Sequence, residues 1–373
     1  MKVQVPRALL TQVLQKVHGA ADRKVHMPIL SNVLIDATEP SQEVEFTATD
    51  LELSLWTKMG ATVEEPGRLT VSAKKLVEIV RELPHELVQL QEAPGNRLII
   101  MAGRSRFELA TIPADDFPFV NFFPGITLSP CDPSLLRKCL AKTQYGIPLD
   151  DDPFSMPGVF CHFQEPDAIR FVSSDGHRLS LYEVPSGSFQ GLSFNGGIII
   201  PRKGAQEILR ILEKEEKSES VFWGIHENAL IVQTQDTLMS VQLLEGEFPE
   251  YQLIIPEERP HFFAVETDPL FAALKRVGIL TDQRWRHVRF HITENSLELE
   301  SGNPELGQAT DSVDITYTGE PFSIAFNLRY VLDALQAMES AEVRFEWVDQ
   351  YHGGVFVGPD DPGYLGLIMP MVI

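Results

Sequence analysis

Cationic side chains are scarce in this 373-residue chain: 31 Lys and Arg stand against 53 Asp and Glu, a formal net charge of −22. Spread evenly, that excess would repel a partner as anionic as a nucleic acid. Cysteine is rarer still. Cys131, Cys139 and Cys161 are odd in number and show no CxxC spacing, which excludes a disulfide framework and a cysteine zinc site and fits a reducing cytoplasm. The ten histidines include no HExxH or other closely spaced ligand pair. A Gly-rich P-loop, a GxGxxG after a strand and a GxSxG elbow are all missing. No apolar run is long enough to cross a bilayer, and Met1 leads straight into an alternating segment, so the expectation is a soluble chain with no membrane partner and no secretory leader. The carboxylate run at 149–158, "LDDDPFSMPG", lacks the alternate-position ligands of a calcium loop and reads as a solvated loop. Neither a metal nor a cofactor is expected.

What is present is a repeated order of periodicities. "MKVQVP" alternates like a strand, and "RALLTQVLQKV" places Leu10, Val13, Leu14 and Val17 on one helical face. Three strand-like runs follow, "SNVLIDA", "EVEFTATD" and "LELSLWTKM". The unit then restarts with "GRLTVSA", a helix "KKLVEIVREL" with Leu76, Ile79, Val80 and Leu83 on one face, and three further strands. Four more copies follow, with helices in "PSLLRKCLAKTQ", "RKGAQEILRILEK", "DPLFAALKRVGIL" and "LRYVLDALQAM". Six copies of strand, helix and three strands predict an α+β fold of three similar domains, each of two units, spanning 1–126, 127–254 and 255–373. Proline punctuates each domain end, in "FELATIPADDFP", "LMSVQLLEGEFPEY" and "YLGLIMPMVI". There it removes a ladder donor and stops the sheet.

The few cations are placed non-randomly. On a helical wheel Lys74 and Arg81 oppose Leu76 and Leu83, and Arg202, Lys203 and Arg210 oppose Ile208 and Leu212. The third helix offers Lys138 and Lys142, the fifth Lys275, and the first Gln12, Gln15 and Lys16; the sixth departs, with Tyr330, Asp333 and Ala337. Ordinary solvated faces carry such residues too. Five equivalent helices doing so in an acidic chain point instead to one positive surface that holds a polyanion while the rest repels it.

"SSDGHRLS" brings an aspartate, a histidine and serines close together, which leaves two readings open. Asp175-Gly176 between alternating runs is a hairpin turn signal. The other reading is a nucleic-acid-acting hydrolase with its active site around Asp175 to His177, which local spacing alone does not assemble.

The blocks "GRSRFELATIPADDFP", "SSDGHRLSLYEVP", "IIIPRKG", "GEFPEYQLIIP", "FNLRYVLDAL" and the terminal "LIMPM" resemble, in order and along the whole chain, the bacterial DNA polymerase III β subunit family, the sliding clamps of replication. The resemblance implies a ring of two subunits joined head to tail that encircles duplex DNA without reading its sequence and acts as a non-catalytic processivity factor. It implies DNA-facing side chains at Lys24, Lys74, Arg81, Lys138, Lys142, Arg202, Lys203, Arg210 and Lys275. It implies a cleft made by Met156, Ser174, Gly176, His177, Arg178, Leu179, Pro249, Leu253, Ile254, Leu367, Met369, Pro370 and Met371. That cleft would capture short peptides from the replicative polymerase catalytic subunit, the clamp loader, other polymerases and repair proteins. It places the homodimer contact at Phe107 and Leu109 against Ile279 and Leu280. "GPDDPG" at 358–363 reads as an insertion lengthening the loop before the final strand, and its effect on peptide preference, like that of the acidic 149–158 stretch, is left open.

Overall fold

In a computed structural model, residues 1–21, 27–38, 41–123, 125–148, 156–164, 167–189, 196–214, 221–281 and 286–371 are described. The strand, helix, three-strand module appears six times, with helices α1 (Arg7–Val17), α2 (Ala73–Glu82), α3 (Pro133–Thr143), α4 (Arg202–Lys214), α5 (Thr267–Val277) and α6 (Leu328–Ala337). One strand was not expected: Thr62–Glu65 pairs antiparallel with Lys2–Pro6 and caps the end of its sheet.

The chain divides into two compact units. The first, chiefly Met1–Ser134 and Gln206–Leu243, contains a 13-stranded antiparallel sheet. Its strands keep the predicted period: in Glu43–Thr49 Val44, Phe46 and Ala48 are buried, and in Lys2–Pro6 Val3 and Val5 are. α1 buries Leu10, Val13, Leu14 and Val17, and α2 buries Leu76, Val77 and Val80. The Ser72 hydroxyl caps α2 by accepting from the Lys75 amide. Near the middle of the sheet Thr237–Gln242 pairs with Leu53–Gly60, setting Met239 against Leu55 and Val241 against Leu53. That proline-punctuated strand therefore belongs to the first unit. Only the loop that follows it, from Leu244, is in the second unit.

The second unit, chiefly Leu135–Ser188 and Leu244–Ile373, holds an eight-stranded and a four-stranded sheet. Arg178–Pro185 pairs with the final strand Asp361–Ile368, so Leu179 faces Leu367 and Leu181 faces Leu365. Stacked and edge-on rings of Phe263, Phe290, Phe326, Phe345, Trp347 and Phe356 fill the core between the sheets and helices. The 358–363 stretch is a tight turn, not a long loop: Gly358 pairs with Asp361, and the strand begins at once.

The three cysteines are free and buried; desolvation pushes the Cys131 thiol up to about 12 and the Cys161 thiol up as well, so both stay protonated and inert.

Candidate docking cleft and cationic helices

The cleft is built in the second unit around the 174–179 hairpin and the chain's tail. Asp175 makes the turn: one carboxylate oxygen accepts from the His177 and Arg178 amides, each at 3.0 Å, while Gly176 sits at φ +82°, where a side chain would be strained. Past the final strand, the Met369 amide donates to the His177 carbonyl and the Met371 amide to the Ala325 carbonyl, both at 2.8 Å. Pro370 lies between these two bonds and, lacking an N–H, prevents the tail from forming a continuous ladder.

Beneath the tail Val172, Leu179, Leu181, Tyr251, Val355 and Leu367 form a buried apolar cluster, with Phe160, Phe248 and Ile255 packed against it. Adjoining its members Tyr251 and Leu367 in sequence are three exposed apolar side chains. Leu253 is 79% exposed, Ile254 45% and Met369 36%. The unbranched thioethers of Met156 and Met369 suit ligands of varied shape, whereas Met371 lines a recess with Arg289, Ser323, Ala325 and Tyr351. Met156 lies against the 245–250 loop: its methyl group would be 2.6 Å from a Cβ placed on Gly246.

Three expected cleft residues have a different role. Leu179 and Leu367 are fully buried floor, out of reach of a ligand. Arg178 is buried as well, because its guanidinium is enclosed by Asp175 at 3.0 Å, Asp333 at 2.6 Å and the Tyr330 ring 4.3 Å away. The sequence missed this enclosure, although Tyr330 and Asp333 were visible as the anomaly on the sixth helix. They replace cations there because they receive one. The carboxylate of Asp175 is spent on the turn and on Arg178, and the Ser174 hydroxyl on the Arg178 carbonyl and the Gly176 amide, so no Asp-His-Ser relay forms.

The loop carrying Pro249, Leu253 and Ile254 is pinned from below. Phe248 stacks on Phe160 at 4.8 Å, and the Tyr251 hydroxyl lies 2.8 Å from His162 Nε2. With Nδ1–H directed at the Phe163 carbonyl, His162 accepts from Tyr251, whose oxygen accepts in turn from Arg170. Burial and the adjacent Arg170 charge hold the imidazole below its ordinary pKa, in the neutral form this chain of bonds requires. Tyr251→Phe leaves a buried ring nitrogen unpaired, an expected loss of about 1–3 kcal/mol, whereas adding His162→Phe removes the orphan and recovers part of it. Urea titrations of the two variants measure the difference.

The cations sort into two groups. Lys74 and Arg81 on α2 are exposed, as is Lys275 on α5, whose ammonium lies 4.4 Å from the Phe271 ring centre. Arg202 and Lys203 at the start of α4 are half-buried. Lys24 lies outside the described residues. Lys138 is half-buried and paired with Glu339 at 2.6 Å. Lys142 is not DNA-facing: it is buried, ion-paired with buried Asp361, bonded to the Ala337 carbonyl at 2.9 Å and enclosed by the Tyr182 and Tyr364 rings. Arg210 is spent on the end of α1, donating to the Gln15 and Lys16 carbonyls and to Glu207. Lys16 is buried against Asp236 at 3.0 Å. The wheel failed at these positions because it assumes water opposite the core stripe, and in α1, α3 and α4 a second neighbour covers that side.

At the expected dimer contact, Phe107 is 39% exposed on Ser105–Ile112 and Ile279 is 77% exposed on the turn Gly278–Leu280. Ser105–Ile112 pairs along its length with Arg97–Ala102 but meets Gly67–Ser72 only at Thr111 and Ile112, so 105–110 keeps one edge open among the described residues.

A strand-helix-three-strand module repeated six times, with exposed apolar side chains beside the 174–179 hairpin, defines a modular, repeat-built protein. Family models for the N-terminal, central and C-terminal domains of the DNA polymerase III β subunit match residues 1–121, 131–250 and 252–372. The beta sliding clamp of Caulobacter vibrioides is 31% identical over 376 residues and that of Escherichia coli K12 30% identical over 372, in both cases with full coverage of both chains. The crystal structure of a DNA polymerase III subunit β sliding clamp from Bartonella birtlesii, bound to griselimycin, matches with a TM-score of 0.91 at 30% identity and full coverage. The chain belongs to the DNA polymerase III β subunit family, the sliding clamps, which are non-catalytic processivity factors of DNA replication.

Proposed function

We propose that two copies of this chain close head to tail into a ring that encircles duplex DNA and slides, with domains at 1–126, 127–254 and 255–373. Lys74, Arg81, Arg202, Lys203 and Lys275 face the phosphates; as non-specific contacts they are weak and salt-sensitive, and persistence comes from topology. The cleft of Met156, Ser174, His177, Pro249, Leu253, Ile254, Met369, Pro370 and Met371 tethers linear peptides of the replicative polymerase catalytic subunit, the clamp loader, other polymerases and repair proteins, in the cytoplasm. The observation that carries this reading is the exposed apolar set Leu253, Ile254 and Met369 on a formed core, in a chain matched end to end by clamp domains.

The test is topological. After clamp-loader-assisted assembly on a nicked circle, the protein co-elutes with DNA through gel filtration, and cutting the circle releases it. Retention on linear DNA with free ends means a contact binder and overturns the ring.

A further inference from the structure

Residues 244–258, "LEGEFPEYQLIIPEE", carry five acids, Glu245, Glu247, Glu250, Glu257 and Glu258, and no Lys, Arg or His. All five are exposed. They bracket Leu253 and Ile254, the most exposed apolar pair of the cleft. Glu247 and Glu250 have no ion-pair partner among the described residues. Across the cleft Arg178 offers no relief, since Asp175 and Asp333 neutralise it.

An apolar surface rimmed by exposed carboxylates, Glu247 and Glu250 foremost, selects for charge as well as for shape. Nucleic acid and anionic lipid are repelled by it, and so is a peptide with acidic flanks. Resting on the peptide-cleft reading above, we infer that this cleft selects peptides whose apolar anchor is flanked by lysine or arginine. The apolar residues meet Leu253, Ile254 and Met369 and supply the affinity; the flanking cations meet Glu247, Glu250 and the 257–258 pair and supply the discrimination. These contacts are exposed, so their effect belongs to low ionic strength.

The probes are short fluorescein-labelled peptides sharing one apolar centre of leucine and phenylalanine, flanked by Lys in one and by Glu in the other. Anisotropy against the whole chain at about 50 mM salt should show the Lys-flanked peptide binding about tenfold tighter, the combined effect of two or three exposed ion pairs. The gap should close at about 0.5 M salt, where the screening length falls to a few Å. Glu247→Lys with Glu250→Lys, both on exposed positions, should invert the preference with the melting temperature unchanged. Equal binding of the two peptides at low salt overturns the inference and leaves the cleft standing. Failure of both peptides to bind overturns both, and a preference that survives high salt or the double variant overturns the charge mechanism.

Discussion

Lys142→Ala lowers the stability of the chain by about 3–5 kcal/mol, the cost of leaving one partner of a buried ion pair without the other. Asp361 is then enclosed by the second unit with its remaining bond to the Glu339 amide at 2.9 Å, which cannot compensate a full charge. Lys142→Met together with Asp361→Asn recovers most of the loss. It removes both charges, preserves the volume of the lysine stem and keeps an acceptor for the Glu339 amide. The double variant also separates two roles that the sequence merged. A lysine facing phosphates contributes about one unit to the salt dependence of DNA binding, so its loss would flatten the slope of log K against log salt. Here the slope stays the same while the denaturant midpoint of the single variant drops. A flattened slope with an unchanged midpoint would return Lys142 to the DNA surface.

What could be read from the sequence was the order of elements, because a period of two and a period near 3.6 are written locally in each run. The six modules survive in the structure with that order intact, down to Leu10, Val13, Leu14 and Val17 on the buried face of α1. What could not be read was the second neighbour of each element. Thr62–Glu65 is too short to show a period, and it becomes a strand because the edge of Lys2–Pro6 is there to accept it. Whether a helical cation meets water or another chain segment depends on pairing across more than 190 residues, as for Arg210 with α1 and Lys142 with Asp361. Two signals were present and went unused. The aromatic and acidic pair Tyr330 and Asp333, one helical turn apart on the one helix that departs from the cationic pattern, marked a cation from elsewhere. Asp361, inside a stretch resembling an inserted loop, marked a counterion. At the cleft Leu253, Ile254 and Met369 are exposed, but the pattern could not distinguish Leu179 and Leu367 as floor, since wall and floor of a cleft alternate with the same period of two.

Ile279→Asp converts the dimer to monomers. In addition to Ile279 the second unit exposes Leu306, 67% accessible in the turn preceding Gly307–Asp314, the outermost strand of the four-stranded sheet. In the first unit Phe107 and Leu109 lie on a strand whose edge is open from Ser105 to Ala110. Two open edges with apolar side chains beside them are a liability in a monomer and a complementary pair in a head-to-tail assembly. Burying Ile279 against the partner contributes about 1.5–3 kcal/mol, and a carboxylate there adds a desolvation penalty of similar size. The combined loss, about 3–6 kcal/mol at each of the ring's two contacts, raises the dimer dissociation constant by at least about a hundredfold. Sedimentation velocity across a dilution series measures it directly. The cleft is formed by other elements, so the monomer should bind a Lys-flanked peptide as tightly as the parent while failing to remain on a closed DNA circle. A variant that sediments as an intact dimer at nanomolar concentration would move the interface away from Ile279, and one that loses peptide binding as well would mean the substitution had disturbed the second unit instead of its edge.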